Sequence, residues 1–235
     1  MFQEYTTKHY NFHYHTNTLA EKEMEKIADH QETGFSYICD CLNVNFKEKI
    51  EYWLCRDAGE VGAILEEKFG DNSPCNGCCI SETEILAVYN EKVKCIGLHE
   101  DAHLVSYKIS IPESVFLREG LAMYFDRVWW GIDNQAWAVY YLKNQMCPSI
   151  CTLLDNDSFY EQKDHITYPI AGAFTLYLVT RYGKEKYLDF YKMYHPEEIF
   201  GKPLEAIEKD FYQYLGLFKN DIVIDRQIEK MLNEA

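Results

Sequence analysis

Along residues 10–15 the apolar and polar positions alternate, with Tyr10, Phe12 and Tyr14 on one side and Asn11, His13 and His15 on the other. A period of two predicts a half-buried strand. Over 19–42 the period lengthens: Leu19, Met24, Ile27, Phe35, Ile38 and Leu42 form an apolar stripe that predicts an amphipathic helix. A second strand is expected over 49–55, a helix over 61–69 and a third strand over 85–89. Between the last two, Asp71 to Gly77 (DNSPCNG) consists of turn formers.

From about residue 92 onward the pattern is nearly all helical. Helices are expected over 93–108, 114–129, 134–146, 168–182, 184–194, 203–215 and 221–233. Pro112, Pro148, Pro169 and Pro203 are expected at breaks or in first turns, where a missing N–H is tolerated. No repeat or Gly/Ser linker interrupts the chain. The expected fold class is therefore α+β in a single domain, residues 1–235. A small mixed sheet with helices (1–91) is followed by a mainly helical lobe (92–235), with the functional site at their junction.

The strongest chemical signal is His99-Glu100-Asp101-Ala102-His103. On a helix, residues four apart share a face, so both imidazoles can reach one ion, and Glu100 stands beside the first to take a proton from an activated water. Composition alone gives about 0.03 such matches in a chain of this length. A catalytic zinc needs a third protein ligand and an open position. Glu119 is the candidate, a carboxylate inside the apolar run Phe116 to Phe125 (FLREGLAMYF). An ion pair with Arg118 or plain exposure is the alternative use of that side chain.

HEDAH followed by FLREGLAMYF resembles the gluzincin metallopeptidases (HExxH, a spacer, then Glu on a following helix), including aminopeptidase-N-type and peptidase-MA-like catalytic domains. The resemblance implies a zincin, thermolysin-like fold and one Zn2+ per chain, held by His99, His103 and Glu119. It implies Glu100 as general base in hydrolysis of peptide bonds. Thr167 to Phe174 (TYPIAGAF) is similar to the family segment that carries a transition-state tyrosine, which implies Tyr168 as oxyanion donor. His165, three residues earlier, is a rival for that role. The 15-residue spacer between His103 and Glu119 is shorter than in the large aminopeptidases, and no counterpart of their substrate-amine motif is visible. A peptide could instead pair with the strand near 85–89 by edge addition. Substrate-binding residues stay unassigned.

Other residues have plainer readings beside their chemical ones. Asp126 either orients a ligand histidine or faces solvent at a helix end. Cys75-x-x-Cys78-Cys79 has metal-ligand spacing, with Cys39, Cys41 or Cys55 as loose partners, but reads more simply as thiols. His13 and His15 share a strand face that could hold an adventitious metal or simply be polar surface.

A net charge of −15 argues against nucleic acid as partner, since phosphate binding needs clustered Lys and Arg. No apolar run is long enough for a membrane span. The opening MFQEYTTKHYNFHYH lacks the basic and apolar regions of a secretory leader, and nine cysteines outside any loop framework suit a reducing compartment, so a cytoplasmic location is expected. The expected partner is a peptide or protein substrate. An inactive peptidase-like domain that binds peptides or a partner protein is the alternative function, and a metal-free helical interaction protein a third.

Overall fold

The computed structural model describes residues 2–219 and 221–234, in two compact units, Met1–Ile109 and Ser110–Ala235. The first unit is α+β. Its sheet has the order β1-β2-β3-β5-β4, from β1 (Phe2–Thr6), β2 (Tyr10–His15), β3 (Ile50–Cys55), β4 (Gly77–Ser81) and β5 (Glu84–Val88). The β2/β3 and β3/β5 pairs are parallel, and β1/β2 and β4/β5 are antiparallel, so the sheet is mixed. The strand near 85–89 is therefore not an edge. It lies between β3 and β4, and β4 takes the outer position.

Alternation sorts the side chains of this sheet onto two faces. Tyr10 and Phe12 of β2 and Tyr52 of β3 pack together on one face, where Phe35 of α1 (Leu19–Leu42) meets Tyr10 edge-on. Thr18 caps α1 by accepting from the Glu21 N–H, and the Glu21 carboxylate accepts from the Asn17 N–H. The opposite face carries α2 (Ala58–Phe69). There Cys55, Val61, Leu86 and Val88 are buried, with Trp53, Ile64, Leu65, Cys75 and Cys78 packed around them.

The expected helix over 93–108 begins later, as α3 (His99–Tyr107). Residues before it fold back on β5 instead: the Asn90 side chain accepts from the Lys92 and Val93 N–H groups, and the Cys95 N–H donates to Val88 O. An Asn competing for local backbone donors in this way starts a turn rather than a helix.

The second unit is helical, as the pattern from residue 92 onward predicts, except for a two-residue hairpin of β6 (Val128–Trp129) and β7 (Ile132–Asp133). Its loop residues Trp130 and Gly131 have φ of 50° and 78°, the left-handed pair that a tight hairpin turn requires. The larger helices are α4 (Val115–Asp126), α5 (Asn134–Lys143), α8 (Asp164–Tyr182), α9 (Lys184–Met193), α11 (Leu204–Leu215) and α12 (Ile222–Glu234). Short turns of helix lie between them at α6 (Ile150–Leu153), α7 (Asn156–Glu161) and α10 (Pro196–Phe200). Helices α4 and α8 approach closely: a Cβ on Gly120 would stand 2.7 Å from Thr175 Oγ1 and 3.0 Å from Ala171 O.

Pro169 sits inside α8, not at its start, because the helix begins at Asp164. Proline has no N–H for the carbonyl four residues back, that of His165. The Tyr141 hydroxyl takes that place, donating to His165 O at 3.1 Å. No helix is long and apolar enough to cross a membrane among the described residues.

Candidate metal centre

Helix α3 is held from beneath by polar groups. Asp101 is fully buried, and its Oδ2 accepts from the Tyr10 hydroxyl at 2.6 Å and from Gln31 Nε2 at 3.0 Å. The same amide donates to Gly97 O at 3.0 Å, just ahead of the helix. Burial pushes the Asp101 carboxyl well above its ordinary pKa, with Glu100 and Glu32 adding to the effect and the Tyr10 bond opposing it. Gln31 occupies a buried position on the apolar stripe of α1, an out-of-pattern residue whose purpose is this link.

With the helix so anchored, His103 is buried, His99 and Glu100 are half-buried, and the two imidazoles stand edge-to-face with centroids 4.9 Å apart. The Glu100 carboxylate lies against β4. Its Oε2 accepts from the Cys79 thiol at 3.4 Å, and the same thiol reaches Glu100 O at 3.3 Å. A Cβ on Gly77 would come within 3.2 Å of Glu100 Oε1 and 2.7 Å of Cys95 Sγ, so only glycine leaves room for this arrangement. Neither Gly77 nor Asp101 was marked by spacing. Both act through partners distant in sequence: Cys95 and Glu100 for Gly77, Tyr10 and Gln31 for Asp101.

His99, His103 and Glu119 each offer one ligand atom, and these atoms all lie within 4.8 Å of one another. Three ligands about 2.1 Å from one tetrahedral ion stand roughly 3.4 Å apart, inside the 4.8 Å span of these atoms. Two imidazoles and one carboxylate form a donor set suited to a divalent cation such as zinc. Glu119 is half-buried on α4, and Asp126, also half-buried, closes the same helix.

Tyr168 is half-buried in the second turn of α8, its ring 5.2 Å from that of Trp129 and 5.9 Å from that of Phe159. His165 Nδ1 lies 2.8 Å from the Tyr141 hydroxyl. Burial, reinforced by Lys163, lowers the His165 pKa. His13 and His15 each have a carboxylate partner: Nε2 of His13 meets Glu51 at 2.6 Å, and Nε2 of His15 meets Glu60 at 2.6 Å. All nine cysteines are thiols, and among the described residues no third His, Cys, Asp or Glu joins Cys75 and Cys78 in a metal-sized cluster.

No protein-family model matches the chain, and no curated protein matches it. The functional reading rests on the residues themselves.

Proposed function

We propose that the chain is a zinc-dependent metallopeptidase of gluzincin type, with a zincin fold and one Zn2+ held by His99, His103 and Glu119. The observation that carries this reading is the convergence of those three side chains, two from the HExxH helix and one from a segment 16 residues on. When bound there, zinc supplies Lewis acidity, polarising a peptide carbonyl and acidifying water. Glu100 accepts the proton from the attacking water and delivers it to the leaving amine. The Cys79 thiol donates to the carboxylate, and the missing side chain of Gly77 leaves it room.

An extended peptide paired to β4, the edge strand beside α3, would run past Glu100. Tyr168 is the favoured oxyanion donor over His165: burial lowers the His165 pKa, which favours the neutral ring, and one of its two nitrogens already faces the Tyr141 hydroxyl at 2.8 Å. Nine reduced thiols accord with the cytoplasmic location expected of the chain.

The test is Glu100→Gln. Zinc content by mass spectrometry should match that of the unaltered chain, while cleavage of a peptide library falls by a factor of about 10² to 10⁴. Undiminished cleavage by the zinc-loaded variant would overturn the mechanism. Peptide binding without cleavage by the unaltered chain would instead favour the inactive, peptide-binding alternative.

A further inference from the structure

The fold leaves the outer edge of β1 open. The Thr7 N–H donates to Tyr10 O at 2.9 Å, which makes these two residues a hydrogen-bonded pair at the head of the β1/β2 hairpin. Such pairs recur at every second residue of an antiparallel ladder, so Tyr5 bonds across to Phe12 and Gln3 to Tyr14. Phe2, Glu4 and Thr6 turn their N–H and C=O groups the other way. Among the described residues no strand lies beyond β1 to meet them.

A groove of about 770 Å³ runs between this strand pair and the first half of α1, with Tyr5 and Tyr14 on the sheet side. Among the described residues neither tyrosine has a hydrogen-bond or ring partner. On the helix side, Glu21, Glu25 and Asp29 recur every four residues and so share one row. Glu21 is engaged at the helix cap by the Asn17 N–H, whereas Glu25 and Asp29 are exposed and form no ion pair among the described residues. Four carboxylates line the groove (these three and Glu23) against two lysines, Lys22 and Lys26. A free strand edge beside a helix wall is the geometry in which an extended peptide adds as a further strand. A second copy of β1 suits it poorly: antiparallel pairing centred on Glu4 would set Glu4 against Glu4 and join two chains of net charge −15.

We propose that the β1 edge binds an extended segment of another protein that carries lysine or arginine at alternate positions. The segment's backbone pairs with the outward groups of Glu4 and Thr6. Its alternate side chains fall on the α1 face, where their apolar stems lie across the Tyr5 and Tyr14 rings and their charges reach Glu25 and Asp29. This edge and β4 are opposite ends of the sheet, so the surface stands independently of the peptidase reading.

The probe is a short fluorescent peptide of alternating lysine and valine, added to the full-length chain carrying Glu100→Gln so that cleavage cannot consume it. Anisotropy should report binding that weakens as salt rises. Glutamates in place of the probe's lysines, or Glu25→Lys with Asp29→Lys in the chain, should weaken binding about tenfold or more. Hydrogen exchange at the Glu4 and Thr6 amides should slow when the probe binds. N-methylation of alternate probe amides should abolish binding in one phase and spare it in the other. The proposal is overturned by no binding, by equal affinity for the glutamate probe, by indifference to the charge reversals, or by protection at β4 in place of Glu4 and Thr6. Protection of those two amides without probe, growing with protein concentration, would overturn it in favour of a second copy.

Discussion

Histidines gather in two regions of this molecule, on the first strands of the sheet and on α3, and the two regions treat them differently. On the sheet and the turn leading into β2 each ring has its own carboxylate: His9 with Glu32 at 2.5 Å, His13 with Glu51 and His15 with Glu60 at 2.6 Å. On α3, two rings share one face of a helix, and a ligand atom of each lies within 4.8 Å of the other and of a Glu119 oxygen. A histidine with its own counter-charge gives one of its two ring nitrogens to that bond. Two histidines that converge with a carboxylate present three donor atoms to one ion. Sequence spacing cannot tell these cases apart, because it does not say where the acids will be.

The most severe way to break the comparison is to remove ligands from both regions. His103→Ala or Glu119→Ala should weaken zinc binding about a thousandfold or more, read by competition with a chromogenic chelator. His13→Ala and His15→Ala together should leave zinc affinity within about twofold. Comparable losses in both sets would erase the distinction.

The anchoring of α3 sharpens it next. Asp101 is a carboxylate without a histidine partner, bonded to Tyr10 and Gln31. Asp101→Ala leaves a buried hydroxyl and a buried amide without their acceptor and should cost about 3 kcal/mol in denaturant unfolding. Asp101→Asn keeps an acceptor oxygen and should cost less. Gly77→Ala is a milder disturbance on the other side of the helix. A methyl so near Cys95 Sγ and Glu100 Oε1 should cost about 1–2 kcal/mol and lower peptidase turnover while zinc content holds. Turnover unaffected by that methyl would separate Gly77 from the placement of the base.

How much of this was legible depended on whether the signal was local. Strand β2 and helix α1 could be read residue by residue, because alternation and the i, i+3, i+4 stripe are short-range patterns with a buried face to enforce them. Strand β1 escaped notice because it is an edge with almost no buried side chain. Strand β4, with the sequence GCCIS, has no alternation of apolar and polar residues to predict it. The HExxH pair is visible because one helical turn sets its geometry, whereas Glu119 stands out only as a carboxylate inside an apolar run, with an ion pair or plain exposure as its alternative. The partners of His13 and His15 lie 38 and 45 residues away, and nothing near those histidines announces them.

The smallest effect is also the one that tests whether the sheet histidines are truly committed to their acids. Burial alone would raise the pKa of Glu32, Glu51 and Glu60. Hydrogen bonds outweigh it and hold all three below the ordinary carboxylate value of 4.5: Thr7 and His9 act on Glu32, His13 and Asn11 on Glu51, and Arg56 and His15 on Glu60. A carboxylate with a depressed folded pKa adds stability that is present above its unfolded pKa and lost as pH falls through the folded one. Unfolding free energy should therefore decline from about pH 4.5 downward, by about 0.5 kcal/mol per pair once solvent screening is allowed for. Glu51→Gln should make that acid decline shallower, since the amide no longer takes up a proton on unfolding. An unchanged slope would mean that the His13–Glu51 bond adds nothing to stability.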